Sequence, residues 1–224
     1  MELKSIYEHM ELGASQVPLN ANCKILFRHS VRGDIQSGYG RDVKLTNEGI
    51  ELARDFGRNL NYNIGYFASS SCGRNIQTCE EILYGKKEER EVCIAREELE
   101  RPQIQNQVLT DQAFELYNYQ SDIIVHKLKT EGLQGFYSIE NSTKKILDYI
   151  FSKGNQNNTV DLFCTHDFQL AIIYACLYDF ASTKENLQKN KWPMMLEGMI
   201  FWGQRDHFWC TWRNETKEFM KYLM

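Results

Sequence analysis

Three segments of this chain repeat one pattern: a short apolar run ends in polar residues and passes at once into a helical periodicity. Residues 24–29 read as a buried strand ending in Arg28 and His29. A Gly/Asp loop from Arg32 to Lys44 follows, and Thr46 then fits an N-cap before Gly49, Leu52, Ala53, Phe56, Gly57 and Leu60, which share one helical face. Residues 64–70 form a second expected strand, dissolving into the turn Ser69-Ser70-Ser71 before a helix opened by Arg74. Residues 160–164 form a third, ending in Thr165-His166-Asp167 and running into an apolar helix around Leu170–Phe180. Strands that alternate with helices predict an α/β fold, a three-layer α/β/α sandwich about a mostly parallel sheet.

The rest of the chain fits around this frame. Residues 85–158 are more polar and less regular, and predict an inserted cap over the site within a single domain of 1–224. Within them, Val92–Ala95 suggests a strand and residues 111–130 one helix. Ile139, Thr143, Ile146, Leu147, Ile150 and Phe151 mark an amphipathic helix that Gly154 is placed to end. Met199–Trp202 and Phe208–Trp212 flank GQRDH and predict a C-terminal edge hairpin.

In an open parallel sheet the strands present their carboxyl ends on one edge, and ligands bind there. The three strand ends would therefore bring Arg28, His29, Arg74, His166 and Asp167 to one rim, with Arg32 a few residues downstream. Taken singly, each is ordinary surface polarity or a helix cap; taken together they are a cluster that packing does not need. Arginine presents planar, permanently charged donors that match phosphate oxygens in pairs, and a helix N-terminus beside Arg74 adds partial positive charge. A phosphoryl group fits. The sequence has no P-loop, no GxGxxG and no carboxylate cluster suited to Mg²⁺, so no metal or cofactor is expected, and covalent catalysis by histidine is the route that remains.

Charge and composition narrow the partners. With 26 Lys+Arg against 30 Asp+Glu the net charge is −4, and the whole-molecule field does not draw a polyanion such as nucleic acid. No apolar run reaches the ~20 residues of a membrane helix, and the first thirteen residues hold no apolar signal core, so no membrane association and a cytoplasmic setting are expected. Seven cysteines without C-x-x-C spacing read as reduced structural thiols.

The motifs RHSVR at 28–32, DVKLTNEG at 42–49, SSSCGRNIQT at 69–78 and THD at 165–167 resemble the histidine phosphatase superfamily, which includes acid phosphatases, phytases and phosphoglycerate mutases. The resemblance covers roughly 24–84 and 159–180, with a weaker similarity at 192–201 to the tail of the acid-phosphatase branch. It implies a small phosphorylated substrate, His29 as the nucleophile, and Arg28, Arg32, Arg74 and His166 as the phosphate pocket. In the phosphatase branch the Asp after the second His is the general acid, a role that would fall to Asp167. The mutase branch instead takes its acid from a Glu, for which Glu97, Glu98 and Glu100 are candidates; a non-catalytic phosphate-binding relative is the third option. Two departures stand out: Ser30 follows the nucleophile position where the family usually has Gly, and Asp34 adds a negative charge nearby.

Overall fold

A computed structural model describes residues 15–18, 21–154, 158–178, 192–213 and 215–223. Seven strands form one sheet in the order β3-β2-β4-β1-β5-β6-β7. They are β1 (Cys23–Arg28), β2 (Asn63–Ser69), β3 (Cys93–Ile94), β4 (Thr159–Thr165), β5 (Gly198–Gln204), β6 (His207–Trp212) and β7 (Glu215–Met220). The first four are mutually parallel, and β5, β6 and β7 extend the sheet antiparallel from β1. Among the described residues the helices are α1 (Asn47–Asn59), α2 (Gly73–Lys86), α3 (Arg96–Leu99), α4 (Gln107–Leu116), α5 (Ser121–Thr130), α6 (Ile139–Ser152) and α7 (Asp167–Leu177).

Both faces of the sheet are covered, which completes the predicted three-layer sandwich. Ile25, Phe27, Phe67, Leu162 and Cys164 pack with Leu52, Ala53 and Phe56 of α1 and with Cys79, Ile82 and Leu83 of α2. The alternate residues Leu26, Ala68, Phe163 and Phe201 point the other way, into a core shared with α4 to α7. Helix α7 is buried along its whole length, as a helix without a polar face must be. Thr46 caps α1 by accepting from the Gly49 amide, and Gly154, at φ +73°, follows the end of α6.

Several element expectations are corrected. The single helix over 111–130 is two, α4 and α5, broken at Asn118 and Tyr119, both with positive φ. The C-terminal hairpin is a three-stranded antiparallel edge: β7 pairs with β6 from His207↔Met220 to Trp212↔Glu215. The strand near 92–95 is only Cys93–Ile94, and α7 starts at Asp167, ahead of the expected Leu170. The expected end of that helix at Phe180, and the reading of the first thirteen residues, lie outside the described residues. No described helix is long and apolar enough to cross a membrane.

Candidate active site

Strands β2, β4 and β1 are neighbours and parallel, with Ser69 opposite Cys164 and Arg28 opposite Thr165. Their carboxyl ends therefore fall side by side, and one step further lie Ser70, His166 and His29. The His29 amide donates to the Thr165 carbonyl and the Ser70 amide to the Cys164 carbonyl, so the strand ladder itself fixes both tips. Arg28, His29, Arg32, Arg74, His166 and Asp167, all anticipated from the sequence, line a single cavity of about 510 Å³. Helices α2 and α7 begin beside it: Cys72 and His166, the residues before their first turns, both line the cavity and neither makes a side-chain cap hydrogen bond.

His29 is 1% exposed. Its Nδ1 lies 2.8 Å from the Ser30 carbonyl, and its Nε2 lies 3.0 Å from Nε of Arg74. A carbonyl can only accept and a guanidinium only donate, so Nδ1 carries the proton and Nε2 keeps its lone pair. Burial first, then the charges of Arg28 and Arg74, hold this imidazole well below its usual pKa. His166 sits across from it, ring centroids 5.7 Å apart, and is pushed down to about 3 by burial and Arg74. Nη2 of Arg74 approaches Nδ1 of His166 at 3.4 Å, while Ser70 Oγ lies 3.1 Å from its Nε2. Arg74 thus stands between two neutral imidazoles, and its third nitrogen, Nη1, donates to the Gly40 carbonyl at 2.7 Å.

The motif residues around this centre each have a mechanical role. Thr78 Oγ1 accepts from the Ser30 amide and Asn75 donates to the Thr165 carbonyl, tying α2 to both histidine-bearing strands. Gln77 accepts from the Leu45 amide and so holds the loop that carries Arg32. At Gly49 an added Cβ would lie 1.9 Å from the Val31 carbonyl oxygen, so this turn of α1 needs glycine to reach the RHSVR segment. Ser30 is fully buried and donates to the Gly49 carbonyl at 2.7 Å. Its hydroxyl therefore turns away toward α1 and fits the backbone there.

Three carboxylates line the cavity: Asp122, Asp167 and Glu100. Asp167 pairs with Arg28 at 2.9 Å, accepts from the Trp192 indole at 3.0 Å and from the Phe168 amide at 2.9 Å. Burial alone would raise its pKa; Arg28, the Trp192 indole and His166 outweigh that and hold it low. Glu100 accepts from Ser71 through both amide and hydroxyl, at 3.2 and 2.5 Å, and pairs with Arg41 at 2.5 Å. Burial again opposes ionisation, and Ser71 with Arg41 keeps Glu100 ionised below the usual carboxylate range. Of the three acids proposed in that segment, only Glu100 lines the cavity.

Apart from Asp122, the other charged side chains of the lining are arginines. Arg28 and Arg41 have carboxylate partners, whereas Arg32 and Arg74 have none among the described residues. Nε of Arg28 and Nε of Arg32 are buried donors with no acceptor, each of which costs roughly 1–3 kcal/mol until an oxygen meets it. The arrangement suits a compact, multiply charged oxyanion set against the lone pair of His29. No described group of three or more His, Cys, Asp or Glu side chains could hold a metal ion.

Several contributors lie outside the matched motifs. Trp192 and the Pro193 carbonyl, which accepts from Nη1 of Arg28 at 2.7 Å, come from the segment before β5. In the sequence, Trp192 is a candidate only for stacking on a substrate ring, beside Tyr117 and Tyr119, and the segment carries only the weak similarity at 192–201. Gly40 and Arg41 come from the loop after Arg32. Asp34 does not line the cavity; of Arg96, Arg101 and His126, the basic residues of the polar region that could meet further phosphates, only Arg101 does.

No family model and no curated protein matches the sequence. Solved structures do match. A mycobacterial glucosyl-3-phosphoglycerate phosphatase superposes with a TM-score of 0.57 at 12% identity, covering 90% of this chain and 99% of its own. A phosphoserine phosphatase from Entamoeba histolytica, solved with 3-phosphoglyceric acid, gives 0.54 at 21% identity over 80% and 90%. A phosphoglycerate mutase from Bacillus anthracis gives 0.55 at 16% over 91% and 96%. Over most of its length this chain has the fold shared by those phosphatases and that mutase, the two activities that the motif resemblance joins.

Proposed function

We propose that the protein is a phosphatase of the histidine phosphatase superfamily that hydrolyses phosphate monoesters without a metal, through a phosphohistidine on His29. The observation that carries the reading is the buried, neutral His29 whose Nε2 lone pair is directed at Arg74 inside a cationic cradle. The direction now taken by the Arg74 N–H is the one along which an electrophilic phosphorus would meet that lone pair. In the first step Nε2 attacks phosphorus, the P–N bond forms, the ester P–O bond breaks, and the departing alkoxide takes a proton from an acid. In the second, water attacks the phosphohistidine, gives a proton to the same carboxylate, and the P–N bond breaks to return His29 neutral. Charge spread over the equatorial oxygens meets Arg28, Arg32 and Arg74, with Arg74 turning its N–H from the His29 lone pair to a phosphate oxygen as phosphorus takes that place.

Asp167 serves as the acid in this reading. Its proton affinity is low while Arg28 and Trp192 serve it, and rises when a phosphate dianion draws Arg28 to its own oxygens. A second reading, a phosphoglycerate-mutase-like transfer back to a substrate hydroxyl, is favoured by one observation: Glu100 also reaches the cavity, held by Ser71 and Arg41. The discriminating experiment follows inorganic phosphate release from alkyl and aryl monoesters in the presence of EDTA. Wild type is expected to release phosphate, His29→Ala to release none, and Asp167→Asn to lose about 10²–10⁴-fold on alkyl esters and far less on p-nitrophenyl phosphate, whose leaving group needs no proton. Loss of that pattern to Glu100→Gln, with isomerised phosphoglycerate as product, would favour the mutase instead.

A further inference from the structure

The cavity is much larger than a phosphate, and its outer wall is aromatic. Tyr39, from the loop after Arg32, and Phe114 and Tyr119, from α4 and the break after it, pack on one another with centroids 5.1, 5.2 and 6.2 Å apart, and all three line the cavity. Ile35 and Ile104 lie on the same wall. Tyr39 is 38% exposed, which leaves part of its ring uncovered.

This wall is held in place by features that core packing does not require. Asn118 and Tyr119 are consecutive residues with φ +49° and +56°, a conformation disfavoured for side-chain-bearing residues, and the Tyr119 amide is tied to the Phe114 carbonyl at 2.8 Å. Across from them, Gly38 and Gly40 both have positive φ, and a Cβ on Gly38 would meet the Tyr119 hydroxyl at 4.0 Å. The Tyr39 hydroxyl donates to Asp111 at 2.8 Å, and the same Asp111 oxygen accepts from Gln107 at 2.7 Å, so the ring is anchored at its far end to α4. Two left-handed turns from separate segments thus bring two tyrosine rings edge to face at the mouth of the phosphate cradle.

We propose that these rings form a leaving-group subsite that selects phosphomonoesters carrying a planar apolar ring close to the ester oxygen. The inference rests on the phosphate-site reading above and adds the class of alcohol that the site prefers. A flat ring offers its face or edge to Tyr39 and Tyr119 at normal aromatic separations, where a short acyclic chain leaves those faces wet.

Binding of phosphonates tests this without turnover, because a P–C bond cannot be hydrolysed. Calorimetric titration would compare benzylphosphonate, cyclohexylmethylphosphonate and propylphosphonate, with inorganic phosphate as the probe of the cradle itself. Wild type is expected to bind benzylphosphonate about tenfold more tightly than propylphosphonate, with the puckered ring between them. Tyr119→Ala should erase the difference while leaving propylphosphonate and inorganic phosphate unchanged, and Tyr119→Phe should preserve it. Equal affinity for the three phosphonates, or a Tyr119→Ala variant that weakens all ligands alike, would overturn the subsite. Failure of inorganic phosphate to bind wild type would overturn the phosphate site, and the subsite with it.

Discussion

At the residue scale the decisive feature is a pair of imidazoles kept neutral by their surroundings. Burial first, and then the guanidiniums of Arg28 and Arg74 that share their space, hold His29 and His166 below the usual imidazole pKa. An attacking imidazole must be uncharged, so in the proposed mechanism the cationic cradle would bind phosphate and also prepare His29 as the nucleophile. The same feature sets a pH dependence of stability. Both rings are neutral when folded, but each takes up a proton on unfolding once the pH is below about 6.5. The unfolded state then binds more protons, so stability falls as the pH drops below that value, by up to about 1.4 kcal/mol per pH unit for each ring. For His166 the loss continues toward about pH 3. Chemical denaturation between pH 7.5 and 5 should show this slope, and His29→Ala should remove about one proton's share; an unchanged slope would mean that His29 is not held neutral. His29 and His166 were legible in the sequence because each follows an apolar run at a strand end. Glu100 was not separable from Glu97 and Glu98, since only the fold turns it toward Ser71.

At the scale of elements, the site depends on how closely α1 and α2 approach each other and the sheet. A Cβ on Gly85 would lie 1.9 Å from the Arg54 carbonyl oxygen, and one on Gly57 2.0 Å from that of Ile82, so the two helix backbones touch through paired glycines. Gly85→Ala should force them apart, destabilise the protein by about 1–3 kcal/mol, and lower its thermal midpoint. Because α2 also carries Arg74 and Thr78, the variant should lose phosphate affinity at temperatures where it remains folded. A variant as stable and as tight-binding as wild type would contradict this packing. The strands and helices that build the site were readable because polar tips and apolar periodicity coincide there. The break at 117–120 was hidden because neither Gly nor Pro marks the turn, and Phe114, Ile124, Val125 and Leu128, all buried, are compatible with one helical face despite the polar Asn118 and Ser121 between them. Strand β7 was hidden for the opposite reason, since ETKEFM buries only Phe219 and reads as a polar tail.

On the scale of the whole molecule, the chain assembles one cavity from residues as far apart in sequence as Arg28 and Trp192. The polar segment 85–158 divides between two tasks. Gln107, Thr110, Phe114, Tyr119, Ser121 and Asp122 from its first half line the cavity, while α6 packs against α7 in the sheet's outer layer. A net charge of −4 surrounds the arginines of this site, so an anion would have to be met by guanidiniums fixed at short range rather than drawn by the long-range field. Convergence of His29, His166 and the arginines on one acceptor oxyanion is the claim on which the account rests. Rapid-quench trapping with a ³²P-labelled monoester measures it most directly. An acid-labile, base-stable phosphoenzyme is expected within the first turnover, mapped to His29 and lost in His29→Ala. Steady release of phosphate with no label on His29, or turnover unchanged in His29→Ala, would contradict it.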